Sequence, residues 1–152
     1  MKKSHLILII SWIIVLFLLL GVFLSRPSET ESILRLKTHF VNICKKEHES
    51  YQRLLCLKPF FKEITTKQST TRAMTEAKSL QDEGVIDDCH MAAHFIGEDT
   101  FNSYHQDPGK AFSSCSMGCI EGCYHGVMEA YISKSKSLRD VLASVPKFCE
   151  SV

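Results

Sequence analysis

The sequence contains no C-x-x-C pair, and that absence sets aside a thioredoxin-type redox motif and a zinc ribbon, although seven cysteines are present among 152 residues. The C-x-x-C-H pattern of haem attachment is missing too, because the cysteines at 115, 119 and 123 stand four apart and Tyr124 precedes His125. The glycines of the same stretch lack a following Lys-Ser/Thr, so there is no phosphate-binding loop, and no elbow motif supports a Ser/His/Asp triad. Neither sign of charge is in excess. With 18 basic side chains against 17 acidic ones, no bulk field draws the chain to nucleic acid. Turn-bounded runs of alternating apolar and polar residues are absent, as are repeats and low-complexity tracts. What remains is an all-α fold.

The long hydrophobic run that is present comes first. Leu6 to Leu24, LILIISWIIVLFLLLGVFL, is 19 residues without a charge and includes the single tryptophan, Trp12. As a helix it would be roughly 28 Å long, close to the hydrocarbon thickness of a bilayer. A cleaved signal peptide has a shorter apolar core and small residues at its cleavage site. Here Phe23 and Leu24 run into Ser25-Arg26-Pro27 instead. Lys2 and Lys3 favour a cytoplasmic N-terminus, although Arg26, Arg35 and Lys37 lie on the other flank. The expected layout is a cytoplasmic tail at 1–5, a single transmembrane signal anchor at 6–24, a linker at 25–32 and an extracytoplasmic Cys/His-rich helical domain at 33–152. Such a protein would sit in the cell membrane. Seven cysteines fit an oxidising compartment beyond it.

Within that domain, Ile33, Leu34, Leu36, Phe40, Val41, Ile43 and Cys44 recur at helical spacing. Leu54 to Ile64 make a second apolar set, in which Pro59 reads as the first turn of a new helix. STTRAMTEAKSLQDEG predicts a polar, exposed helix stopped by Gly84. Asp87 or Asp88 caps a further helix, expected over about 88–104. DPGK at 107–110 is a turn signal, the next helix is expected over about 117–133, and SLRDVLASV forms a short last one before Pro146. The sequence ends at KFCESV, either as a natural terminus or as a domain that continues further.

SSCSMGCIEGCYHGVMEAY, from Ser113 to Tyr131, interleaves two ladders: Cys115, Cys119, Cys123 and Gly118, Gly122, Gly126. On a helix, three interior glycines cost about 3 kcal/mol relative to alanine, so something must offset them. Gly97 and the glycine strip could let two helices approach backbone to backbone. Alternatively a bound ion or disulfides hold the segment, or 115–119 is a loop and the helix starts near Gly122. Cysteines four apart on a regular helix stand too far apart to bond, so the ladder cysteines pair with one another only if the helix is broken. Cys44 and Cys56 can pair across a turn near Glu47–Tyr51, and Cys89 and Cys149 are the further candidates. Because seven is odd, one thiol is left over in any scheme.

His90 and His94 share one helical face, close enough to reach one metal ion. The frame H-x3-H-x2-G is that of a zinc protease, but Met91 replaces the general-base glutamate and Thr100 the third histidine, so that reading fails. His125 and Glu129 share a face of the following helix. A metal site between the helices would draw on His90, His94, His125 and Glu129, with Cys119 or Cys123 as possible substitutes. Zinc is the default ion for such ligands, with copper or iron also accepted. His39, His48 and His105 read as solvated surface.

The pair CHMAAHFIG and GCYHGVMEA resembles the paired C-H-x3-H-x2-G and G-C-x-H-G motifs of a group of membrane-anchored bacterial Cys/His-rich proteins, over about Asp88 to Tyr131. The resemblance implies no activity and no cofactor. Some of those proteins continue into a His/Gly-rich segment lacking here, which implies a domain that continues past Val152. Three readings stand: a metal- or metal-cofactor-binding module, with hydrolytic or redox chemistry open to it; a disulfide-stapled scaffold for an envelope or membrane partner; and a thiol-redox protein using an unpaired ladder cysteine.

Overall fold

A computed structural model describes residues 12–17 and 28–150, and among them every regular element is a helix. The chain divides into two units, 1–35 and 36–152. In the first, residues 12–17 are helical, and the rest of the expected anchor at 6–24 lies outside the described residues. Among those described, no helix is long and apolar enough to cross a membrane.

Seven helices follow: α1 Glu29–Cys44, α2 Ser50–Lys67, α3 Thr70–Asp82, α4 Cys89–Ser103, α5 Pro108–Ser114, α6 Gly122–Lys134 and α7 Leu138–Glu150. Their starts follow from local chemistry. Ser69, Asp88 and Asp107 each accept a hydrogen bond from a backbone N–H of the first turn they precede, at Arg72, His90 and Lys110. Gly84, at φ 68°, ends the turn after α3 in a left-handed conformation that suits glycine.

The core of the second unit lies where α2, α3 and α4 meet. Leu54, Leu57, Phe60, Phe61 and Ile64 occupy one face of α2 and are buried, opposite Ala73, Ala77 and Leu80 of α3 and Ala92 and Ile96 of α4. Each large apolar side chain so buried stabilises the fold by about 1.5–3 kcal/mol. A disulfide between Cys44 and Cys56, with Cα atoms 5.6 Å apart, closes the α1–α2 turn. That is the hairpin pairing the sequence allowed.

Four expectations are corrected. The segment after Ser69 is not an exposed helix. α3 buries Thr70, Ala73, Met74, Glu76, Ala77 and Leu80, because its buried polar groups have partners. Thr70 hydrogen-bonds Thr100 at 2.9 Å, and the Glu76 carboxylate lies 2.8 Å from Arg72 and 3.6 Å from Lys37. Pro59 does not open a helix but stands inside α2, on its exposed face, and Pro146 likewise stands inside α7. DPGK is more than a turn, since Asp107 caps the short helix α5 with Pro108 in its first turn. Lastly, the helix expected from about 117 begins only at Gly122. Cys119, Ile120 and Glu121 hold φ values of 53°, 52° and 60°, a left-handed run that no right-handed helix passes through.

Candidate metal centre

Among the described residues α4 and α6 make the most extensive helix pair, and they meet mainly through backbone. A Cβ on Gly97 would collide with the carbonyl oxygen of Cys123 and stand 2.9 Å from the amide nitrogen of Val127. One on Gly122 would meet the carbonyl of His90 and lie 2.9 Å from Ala93 Cβ, and one on Gly126 would overlap the carbonyl of His94, with His94 Cα 2.8 Å away. Three glycines thus remove the spacer that side chains would impose. Gly118 takes no part, because a Cβ there would meet nothing nearer than Ser116 Oγ at 3.6 Å. The strip is therefore Gly97, Gly122 and Gly126.

The break before α6 is what the two neighbouring disulfides need. Cys115 caps the end of α5 and bonds Cys123, with Cα atoms 5.7 Å apart, while Cys119 bonds Cys89 across to the start of α4 at 5.3 Å. Ladder cysteines that could not pair along a continuous helix pair here because 115–121 is a loop. This corrects two expectations. Cys119 and Cys123 carry no thiolate to offer a metal, and no ladder cysteine is left unpaired for thiol chemistry. Cys149 falls on a side chain outside those described.

The close crossing brings three imidazoles together. The Asp88 cap starts α4 so that His90 and His94 point the same way, and Gly126, seated on His94, delivers its neighbour His125 from α6. Ring centroids are 4.8 Å apart for His90–His94, 5.5 Å for His90–His125 and 5.4 Å for His94–His125. One nitrogen from each ring falls within 4.8 Å of the others. His90 and His94 are half-buried and His125 is exposed.

The protons on two of these rings follow from their partners. His90 Nδ1 lies 3.1 Å from the carbonyl oxygen of Cys119, which only accepts, so Nδ1 donates and, in the neutral ring, Nε2 keeps a lone pair. His94 Nδ1 lies 3.0 Å from Glu129 Oε2 and donates to it, again leaving Nε2 as the inward atom. The two Nε2 atoms are 3.1 Å apart. Facing lone pairs at that distance repel unless a cation lies between them. A proton would serve two nitrogens, whereas a metal ion serves His125 as well. Two Zn–N bonds of ~2.0–2.1 Å at a tetrahedral angle hold their nitrogens ~3.3–3.4 Å apart, near the spacing seen.

Glu129, expected among the ligands, is bound to the outer nitrogen of His94. A carboxylate or carbonyl in that position fixes the tautomer of a metal-binding histidine and makes its other nitrogen more basic. The Cys119 carbonyl does the same for His90, and this role was not visible in the sequence. A main-chain oxygen leaves no signature beyond the need for a break somewhere in the ladder. No model of a protein family matches the chain, nor does any curated protein or solved structure, so the site is read from its own geometry.

Proposed function

We propose that this chain is a membrane-anchored, extracytoplasmic helical module that binds one divalent transition-metal ion through His90, His94 and His125. The observation that carries the reading is the convergence of His90 Nε2 and His94 Nε2 at 3.1 Å, each with its outer nitrogen already donating to an oxygen. Zinc is the first choice of ion, and copper or iron would accept three imidazoles. Three protein ligands on the solvent side of a helix pair leave a coordination position open. That is the pattern of metal sites that activate water or take up a further ligand. Anchoring rests on the uncharged run Leu6–Leu24, and the extracytoplasmic side rests on Lys2 and Lys3 together with three disulfides, which persist in oxidising compartments.

A second reading, a stapled scaffold for an envelope protein partner, draws on Met117 and Ile120, which are 72 % and 76 % exposed on the loop between the two staples. Elemental analysis separates the two. The full chain, exported and purified in mild detergent without chelator, is expected to carry about one metal equivalent. His125→Ala, a change at an exposed side chain, is expected to lose the metal while keeping its helix content. An oxidised, folded chain that carries no metal and gains none on dialysis against zinc would leave the scaffold reading in place.

A further inference from the structure

We propose that Cys89–Cys119 is an exchangeable disulfide, open to a dithiol reductant, and that its redox state sets the metal affinity of the three-histidine site. The second half of this rests on the metal reading above, whereas the first half does not.

Each staple joins a buried cysteine to a half-buried one, Cys56, Cys115 or Cys119, and the three differ in what surrounds the half-buried member and in what opening would leave behind. Cys44 is fully buried and closes the C-terminal end of α1, where the helix dipole disfavours a thiolate. Cys123, as the second residue of α6, also stands at a helix N-terminus, but it is fully buried and its partner Cys115 packs against the apolar cluster of Phe101, Ala111, Val127 and Ala130 rather than opening to a cleft. Cys119 is half-buried and lines a cleft of about 640 Å³ between α3 and the 115–121 loop, beside Met74, Thr75, Ser116 and Gly118. Its partner Cys89 is the first residue of α4, where the helix N-terminus stabilises a departing thiolate against the effect of burial.

Exchange therefore starts at the Cys119 sulfur. A thiolate of the dithiol attacks Cys119 Sγ, the bond to Cys89 breaks, and Cys89 leaves as the thiolate. The second thiol of the reductant then attacks the mixed disulfide and frees Cys119. Two electrons pass to the protein, each protein thiolate takes up a proton, and the reductant ends as a disulfide.

The link to the metal is the carbonyl of the same residue. Cys119 O accepts from His90 Nδ1 at 3.1 Å and from the Gly122 amide at 3.2 Å. It is held there within a left-handed run of three non-glycine residues, one of them β-branched. Such a run persists only when its surroundings over-determine it. With Cys89–Cys119 closed, the run is tied at Cys119 to α4 and through Cys115–Cys123 to α6. Opened, it is free to relax to right-handed φ values, which swings the carbonyl away from His90. The imidazole then loses the acceptor that fixed its tautomer, a change of the kind that lowers metal affinity 10- to 100-fold.

The test uses the full chain in detergent under increasing dithiothreitol. Free thiols are trapped by alkylation and mapped by mass spectrometry, and zinc affinity is measured by chelator competition before and after the first disulfide opens. The expected result is that Cys89 and Cys119 are alkylated before the other two pairs, and that zinc affinity then falls at least tenfold with helix content unchanged. A Cys89→Ala/Cys119→Ala double variant, oxidised at its two other staples, is expected to show the same loss. Opening of all three disulfides together, or of Cys89–Cys119 last, overturns the exchange step. Early opening with unchanged affinity overturns the coupling, as does loss of affinity only together with loss of helix. An oxidised chain that binds no zinc overturns the metal reading and the coupling together, while the order of alkylation still decides the exchange.

Discussion

α4 is packed in two different ways on its two sides. Toward α2 and α3 it offers Ala92 and Ile96 to a layer of Leu57, Phe60, Phe61, Ile64 and Leu80, so contact is made by side chains of varied size. Toward α6 it offers Gly97, the single methyl of Ala93 and the bare main chain of His90 and His94, and α6 answers with Gly122 and Gly126. The first kind of contact is adjustable, because side chains can repack when one of them shrinks. The second kind has no slack. Backbone against backbone sets the separation of two helices by the size of a hydrogen atom, and it is on this side that three imidazoles have to meet. Stability and placement are thus divided between the two faces of one helix.

If that division holds, the largest effect comes from a single added side chain on the backbone face. Gly126→Val puts a Cβ onto the carbonyl of His94, which is main chain and cannot move without opening the crossing. A loss above about 4–5 kcal/mol is expected, enough to leave the α4–α6 pair unassembled. Thermal unfolding followed by circular dichroism, with zinc content on the same samples, checks it. Gly118→Ala is the internal control. Its Cβ would meet Ser116 Oγ and Met74 Cε at 3.6 and 3.8 Å, ordinary contact distances, and stability should stay within about 0.5 kcal/mol. Equal effects at the two glycines would erase the distinction between a packing strip and a coincidence of spacing.

The side-chain face is expected to respond differently in kind. Leu57 is fully buried in α2, away from the imidazoles, and Leu57→Ala removes its apolar volume and leaves a partly collapsed cavity worth about 2–5 kcal/mol. The α4–α6 crossing does not involve Leu57, so the surviving folded fraction should still bind one zinc with near wild-type affinity. Stability lost with binding retained sharpens the division. Binding lost in proportion to stability would show that the two faces act as one cooperative unit.

Much of the side-chain face was legible in the sequence, and less of the backbone face was. Helical spacing and the caps at Ser69 and Asp88 marked where helices start, because those signals are local and chemical. The pairing of Cys44 with Cys56 was open in the sequence, given a turn near Glu47–Tyr51, and the structure makes it. His90, His94 and His125 were visible because residues four apart share a helical face. What local signals could not show was long-range compensation. α3 looked exposed since Thr70 and Glu76 are polar, yet their partners Thr100, Lys37 and Arg72 come from elsewhere in the chain or from the preceding turn. The late start of α6 has the same origin. Nothing in the residues Cys119, Ile120 and Glu121 favours left-handed φ, and the two disulfides that bracket them hold them there. Gly118 belonged to the ladder by spacing and not by packing, because the loop carries it away from α4.

A pH-dependent effect is expected from Asp99, the buried carboxylate of α4. Asp99 is 6 % exposed on α4, and its Oδ2 has no hydrogen-bond partner. Burial pushes its pKa up to about 6, with Glu98 raising it further and Lys62 and Lys58 opposing. A raised carboxylate pKa means that the folded state holds its proton more tightly than the unfolded chain does. Below pH ~4 both states are protonated and Asp99 costs nothing. As pH rises from there through 6, the unfolded chain ionises first, and the fold loses about 3 kcal/mol at most, which it does not regain at higher pH. Asp99→Asn removes the titration. Subtracting its urea-derived stability from that of the wild type, point by point from pH 4 to 7, cancels the histidines and surface carboxylates common to both chains. The difference should slope downward with pH for the wild type and level off above 6. A flat difference would mean that water or the nearby lysines already solvate the carboxylate, and that the side-chain face is less dry than its apolar lining implies.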